Sequence, residues 1–175
     1  MERNNFQIRP ETAADYDAIY ELIRTAFETA RVKEGTEQDF AVDLRNGAGY
    51  IPELALVAEQ AGRLIGHIMF TRLAVESPGG KRHEMLLLAP VSVVLGYRDR
   101  GVGSALVREG CRRARELGYG AVCLVGDPAY YVRFGFRPGA DYGIRLAGDI
   151  PAQYVQALEL VPGALEGVTG TIECC

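Results

Sequence analysis

The chain has 175 residues, 48% of them hydrophobic, and a formal net charge of −4 with a pI near 5.3. That length and apolar content suffice for one substantial core without disulfide or metal staples. The acidic balance excludes the dominant basic face that would hold nucleic acid or an anionic membrane. A single domain over residues 1–175 is expected. The four cysteines, Cys111, Cys123, Cys174 and Cys175, have neither metal-ligand spacing nor a disulfide framework and read as a reduced, cytoplasmic set, so no metal is expected. The opening MERNNFQIRP lacks an apolar signal region, and the longest apolar stretch, broken by Pro90 and Ser92, falls short of the roughly 20 residues of a spanning helix. A soluble intracellular protein with no membrane partner follows as the expectation.

In chain order, Phe6 to Arg9 predicts a short strand closed by Pro10. Thr12 and Asp15 have capping-box spacing, and Ile19, Leu22, Ile23, Ala26, Phe27 and Ala30 recur at helical intervals, which predicts a first helix. A second helix is predicted over Thr36 to Arg45, capped by Thr36, burying Phe40 and Leu44, and broken by the Gly-rich 46–49 cluster. Leu54 to Glu59 and Leu64 to Arg72 predict a hairpin turning at Gln60 to Arg63. A turn at Ser77-Pro78-Gly79-Gly80 leads to a long strand from Glu84 to Leu95, apolar on both faces and therefore central. The next helix carries Leu106, Val107, Gly110, Cys111, Ala114 and Leu117 on one side and stops at Gly118; Ala121 to Val125 is the buried strand that completes a βαβ unit. Asp127 to Phe134 reads as a short helix or turn, and Tyr154 to Leu160 and Val168 to Glu173 as two more strands. Cys111 and Cys123 sit in apolar surroundings and read as core. No repeat, low-complexity tract or linker interrupts the chain.

The stretch Leu86 to Leu106, LLLAPVSVVLGYRDRGVGSAL, organises the rest. A strand runs into a Gly-rich, Arg-bearing turn and then a helix, which is how unpaired backbone amides and the positive end of a helix dipole come to hold an anion. Six arginines, Arg98, Arg100, Arg108, Arg112, Arg113 and Arg115, fall within one short segment that begins in this turn and keep a local anion site inside an acidic protein. A dinucleotide fingerprint would need Gly or Ala three residues after Gly103, where Leu106 stands, and a Walker loop would need Gly-Lys-Ser/Thr, but the segment has no lysine.

The order β, α, α, β, β, β, α, β, short α, β, β, with the stretches IRPETAADYDAIYELI, PVSVVLGYRDRGVGSALV and GDPAYYVRFGF, resembles the GCN5-related N-acetyltransferases (GNAT) over residues 6 to about 137, and most of all the YhbS-type subgroup of predicted acyltransferases. The resemblance implies an α/β (α+β) fold: a mixed, mostly antiparallel central sheet, splayed by a bulge at the cofactor strand and flanked by helices. The spacing Arg98-x-x-Gly101-x-Gly103 resembles the family's acetyl-CoA loop. By match, the amides of Arg98, Asp99, Arg100, Gly101, Val102, Gly103 and Ser104 hold the pyrophosphate, and backbone groups at Val91 and Val93 pair with pantetheine. Tyr131, four residues before Gly135, takes the place of the family tyrosine; a phenol there can protonate the departing CoA thiolate. Asp127 departs from the family's frequent Asn, and the short helix is shorter than usual.

The implied activity is acyl-CoA-dependent N-acyl transfer, with acetyl the expected group, by direct attack of a primary amine in a ternary complex with acetyl-CoA. An amide near Val93 would stabilise the oxyanion. The acceptor amine, on a small molecule or a protein, is open, and so is a homodimer. For the base that deprotonates the amine, His67 is the candidate on chemistry, against a hydrogen-bonded core histidine; Glu84, Glu28 and Glu53 are others. The rival readings are a non-catalytic acyl-CoA-binding sensor with the same cradle and a different nucleotide-binding α/β protein.

Overall fold

The computed structural model describes residues 5–30 and 33–172. Nine strands form one hydrogen-bonded sheet among these residues. They are β1 (Gln7–Pro10), β2 (Tyr50–Gln60), β3 (Arg63–Glu76), β4 (Arg82–Val93), β5 (Ala121–Val125), β6 (Arg137–Pro138), β7 (Ile144–Leu146), β8 (Val155–Glu159) and β9 (Gly170–Ile172). The helices are α1 (Tyr16–Phe27), α2 (Glu37–Asn46), α3 (Val102–Glu116) and the one-turn α4 (Pro128–Tyr131). The strand order is β1-β2-β3-β4-β5-β8-β6, with β9 on β3 and β7 on β9. Only β4–β5 and β7–β9 are recorded as parallel, so the expected mixed, mostly antiparallel sheet with a central β4 is the one observed. By packing, the described residues fall into two compact units that the chain enters twice each: those up to Phe70 with Ala89–Arg113, and Thr71–Leu88 with those from Ala114 onward.

In the first unit, β1 pairs antiparallel with β2, Gln7 opposite Glu59 through Pro10 opposite Leu56. Ile19 and Ile23 of α1, Ala41 of α2 and Val57 of β2 make a core against which Tyr16, Phe27 and Leu64 pack. The first helix begins with a short 3₁₀ turn after Thr12, where the capping box forms as expected: the Thr12 amide donates to Asp15 Oδ2 at 2.8 Å. It ends at Phe27, before Ala30. Thr36 precedes α2 without a side-chain cap bond, and the residues α2 buries are Gln38 and Ala41, with Phe40 and Leu44 only half-buried, because the helix is rotated from the face its largest residues would choose. The β2–β3 turn is the two residues Ala61 and Gly62, both at positive φ (50° and 77°), the backbone that matches strand twist in a tight hairpin. α3 packs on β3 so closely that a Cβ on Gly66 would sit 2.9 Å from both Leu106 and Val102, and one on Gly110 would overlap the Phe70 ring.

In the second unit, β5 lies between β4 and β8, pairing parallel with Leu86 and Leu87 on one side and antiparallel with Val155–Glu159 on the other. Gly118, at φ 95°, stops α3 as expected, its amide donating to Arg115 O and that of Tyr119 to Ala114 O; Leu117 lies past the helix end and is half exposed rather than on the buried face. The short strands β6 and β7 were not anticipated, being too brief to show a period. The expected strand from Val168 is β9, shortened to Gly170–Ile172; Glu173, Cys174 and Cys175 lie outside the described residues. Cys111 and Cys123 are buried, and burial pushes the Cys123 thiol up to about 12, so it stays protonated as a small apolar side chain.

Candidate active site

The loop between β4 and α3 turns on two left-handed residues, Asp99 (φ 61°) and Gly101 (φ 82°). Aspartate tolerates that conformation better than most side chains, and glycine adopts it freely. The turn aims the start of α3 back along the strand. Ala105 N donates to Gly101 O at 3.0 Å as the first intrahelical bond, so the amides of Val102, Gly103 and Ser104 precede it and have no carbonyl to meet inside the helix. Three donors at the positive end of the helix dipole are thus left without an intrahelical carbonyl.

The arginines are distributed differently from the sequence expectation. Arg98 does not add its guanidinium to that cradle: Nη2 donates to Ala26 O and Nη1 to Thr29 Oγ1, both at 2.6 Å. It thereby satisfies one of the carbonyls left over at the end of α1 and ties that helix to the loop. Arg112 and Arg113 pair with Glu109, and Arg115 donates to Leu160 O. Arg100 and Arg63 lie over the Tyr97 ring, 5.6 and 5.9 Å from its centroid, and these two cations flank the loop.

β4 carries the other half of the expected cradle. The turn sets Ser77 opposite Lys81, with the Ser77 amide donating to Lys81 O and Gly80 N to Ser77 O. Carried along both strands, that register would put Ile65 opposite Val93, yet Ile65 O accepts from Val94 N at 2.9 Å. β4 therefore holds one residue more than β3 over this interval, which is a β-bulge. On its other edge β4 pairs with β5 only at Leu86–Val122 and Leu87–Cys123, then runs on to Val93. The backbone edge at Val91 and Val93 lies beyond that ladder. Both valines are half-buried, and Ser92 between them is buried.

Tyr131 ends α4. Asp127 caps that helix, its Oδ1 accepting from Ala129 N at 2.9 Å with Pro128 in the first turn, which gives the departure from Asn a clear structural part. A 3₁₀ turn over Val132–Phe134 follows and closes at Gly135. Tyr131 sits in an aromatic cluster, its ring centroid 4.9 Å from Tyr130 and 5.7 Å from Phe136, both edge to face. Gly126 makes room for it: a Cβ there would lie 2.6 Å from the tyrosine ring. Burial, with smaller contributions from Tyr130 and Asp127, raises the phenol above its ordinary range.

His67, on β3, is wholly enclosed, and its Nε2 is 3.1 Å from Oε2 of Glu11, just past β1. Glu11 is also gripped by Arg45 of α2, Nε to Oε1 and Nη2 to Oε2 at 2.9 Å each, and by the Tyr50 hydroxyl at 2.9 Å. Arg45 in turn lies 4.1 Å over the Tyr16 ring. Burial lowers the His67 pKa below its ordinary value against the pull of Glu11. For Glu11, burial acts to raise the pKa, but the bonds from His67 and Arg45 prevail and hold the carboxyl well below its usual range. Glu84, Glu28 and Glu53 are all exposed, while Glu11, which the sequence did not single out, is buried on the histidine. Only strand pairing brings residues 11 and 67 together, so no local pattern signals it. Among the described residues no group of three or more His, Cys, Asp or Glu is placed to hold a metal, and no helix is long and apolar enough to cross a membrane.

Residues 7–139 match the family model described as an acetyltransferase (GNAT) domain. The chain belongs to the GNAT family. As a GNAT N-acetyltransferase it is 33% identical to the Escherichia coli N-acetyltransferase YhbS over 95% of this chain and 94% of the relative, and 32% identical to the E. coli N-acetyltransferase YjhQ over 99% and 94%. Its fold matches the crystal structure of E. coli YhbS in complex with CoA at a TM-score of 0.87, with 32% identity over 100% of this chain and 92% of that one. A GNAT acetyltransferase from Brucella melitensis in complex with acetyl-CoA matches at 0.78, with 28% identity over 99% and 97%.

Proposed function

We propose that this GNAT acetyltransferase binds acetyl-CoA with its diphosphate on the amides of Val102, Gly103 and Ser104 and the loop from Arg98, and transfers the acetyl group to a primary amine. The observation that carries the reading is the junction itself: three amides unpaired within α3 follow directly on a strand whose ladder to β5 has ended. Pantetheine takes the backbone groups at Val91 and Val93, in the way a strand would, and Arg63 and Arg100 supply the positive charge that Arg98 spends on α1. The crystal structures of the two relatives with CoA and acetyl-CoA support the choice of ligand.

In the transfer the neutral amine attacks the thioester carbon, the carbonyl oxygen takes up charge, and an amide near Val93 stabilises it. The C–S bond then breaks, and Tyr131, protonated at neutral pH, gives its proton to the thiolate. His67 serves on the base side. The chain acts as one domain, and its acceptor is an amine of a small molecule or a protein.

A Ser104→Asp substitution tests the cradle, because a carboxylate in the first turn favours the helix while repelling a diphosphate. Acetyl-CoA affinity by titration calorimetry should fall at least about tenfold with an unchanged or higher Tm. Unchanged affinity rejects the assignment, and tight binding with no CoA thiol released over an amine panel favours a sensor over an enzyme.

A further inference from the structure

Two buried polar atoms in the first unit lack a hydrogen-bond partner among the described residues, His67 Nδ1 and Ser92 Oγ. Histidine and serine are 0% and 3% exposed. The Val94 N to Ile65 O bond fixes the local register of β3 and β4, and counting two residues back along one strand and two forward along the other sets Ser92 opposite His67. Residues directly opposite in an antiparallel pair project from the same face, so the two orphans face each other. A fully buried nitrogen and a buried hydroxyl left unpaired cost free energy, and one bridging water between them would satisfy both.

We propose that Ser92, His67 and Glu11 form a buried proton relay for acetyl transfer, in which Ser92 meets the acceptor side and His67 and Glu11 act through it. The inference rests on the acetyltransfer reading above. Glu11 accepts a hydrogen bond from His67 Nε2, which fixes the neutral tautomer with its lone pair on Nδ1. When the amine has attacked, its nitrogen is a cation in the tetrahedral adduct. The N–H bond breaks and the proton goes to Ser92 Oγ, directly or through one water, as the serine proton passes through the bridging water to His67 Nδ1. His67 becomes an imidazolium, and its charge faces the Glu11 carboxylate. The proton later leaves to solvent by the reverse path. The groups around the imidazole are Glu11 from the end of β1, Arg45 from α2, Tyr50 from β2 and the Ser92 hydroxyl from β4. Arg45 and Tyr50 keep Glu11 an ion, which lets a buried histidine accept a proton at all.

The relay is read first without any acceptor, by ¹⁵N NMR of the histidine side chains in the full chain. His67 should titrate as an Nε2–H tautomer, and Ser92→Ala should move its Nδ1 resonance and its pKa; an Nδ1 indifferent to Ser92→Ala overturns the proposal. Turnover of acetyl-CoA is then followed with spermidine, a lysine peptide and a free N-terminal peptide. With an amine that is used, Ser92→Ala and His67→Gln should lower kcat about 100-fold with acetyl-CoA affinity unchanged, and should remove the acid limb of the kcat/KM profile. Wild-type kcat and an intact acid limb in Ser92→Ala would overturn it. Ser92→Thr, which keeps the hydroxyl, should restore activity. If the wild-type chain fails to bind acetyl-CoA, the acetyltransfer reading has failed, and the NMR result stands apart from it.

Discussion

Tyr131 illustrates how a single side chain acquires a chemical role from its surroundings. Its phenol is raised above its ordinary range by enclosure among Tyr130, Phe134 and Phe136, and its ring fits only because residue 126 has no Cβ. Tyr131→Phe should therefore leave acetyl-CoA affinity and Tm near wild type while kcat falls about 100-fold, measured by thiol release; full activity would remove the tyrosine from the acid role. Tyr131 was singled out by family likeness, through its distance from Gly135. The sequence could not choose among the carboxylates, because Glu11 owes its environment to strand pairing and three other chain segments. Arg98 shows the converse. Its position in the loop was legible, but the direction of its side chain depended on where α1 ends.

At the level of elements, β4 and α3 were readable to within about two residues because an apolar strand, a glycine turn and a 3.6-residue period follow one another. Their interfaces were less so. Gly110 stands inside a helix, where glycine costs about 1 kcal/mol relative to alanine, and only the Phe70 ring explains it. Gly110→Ala should improve helix propensity yet destabilise the protein by about 1–3 kcal/mol, because the ring has to move; a chemical denaturation midpoint higher than wild type would reject that close approach. The bulge in β4 was implied by family likeness alone, since side-chain alternation is blurred where both faces are apolar. Helix α2 was found by its period, but its buried face was misjudged because size does not decide which side meets the core. The strands β6 and β7 are too short to have a pattern.

Across the whole molecule, charge is held in pairs whose loss is ordered by pH. Hydrogen bonds from Arg9, and smaller ones from Thr12, hold Asp15 at about 2, and those from Arg112 and Arg113 hold Glu109 at about 2. Both folded values lie below the unfolded ones, so their stabilisation is complete above about pH 4.5 and is lost as the pH falls towards 2. His67 acts in the same direction, since a histidine kept neutral when folded takes up a proton on unfolding below about pH 6.5. Tm should decline gently from pH 6.5 to 4.5 and steeply below, with His67→Gln flattening the upper part; a Tm constant from pH 7 to 3 would contradict these pairings. A different consequence follows from β9. It closes the edge of β3 by pairing Val75 with Ile172, and it leaves the ribosome long after β3 does. A nascent chain must therefore carry an open strand edge through most of its synthesis. The charges of Arg72 and Glu76, beside the apolar run of β3, stand where they can deter that edge from recruiting a neighbouring chain.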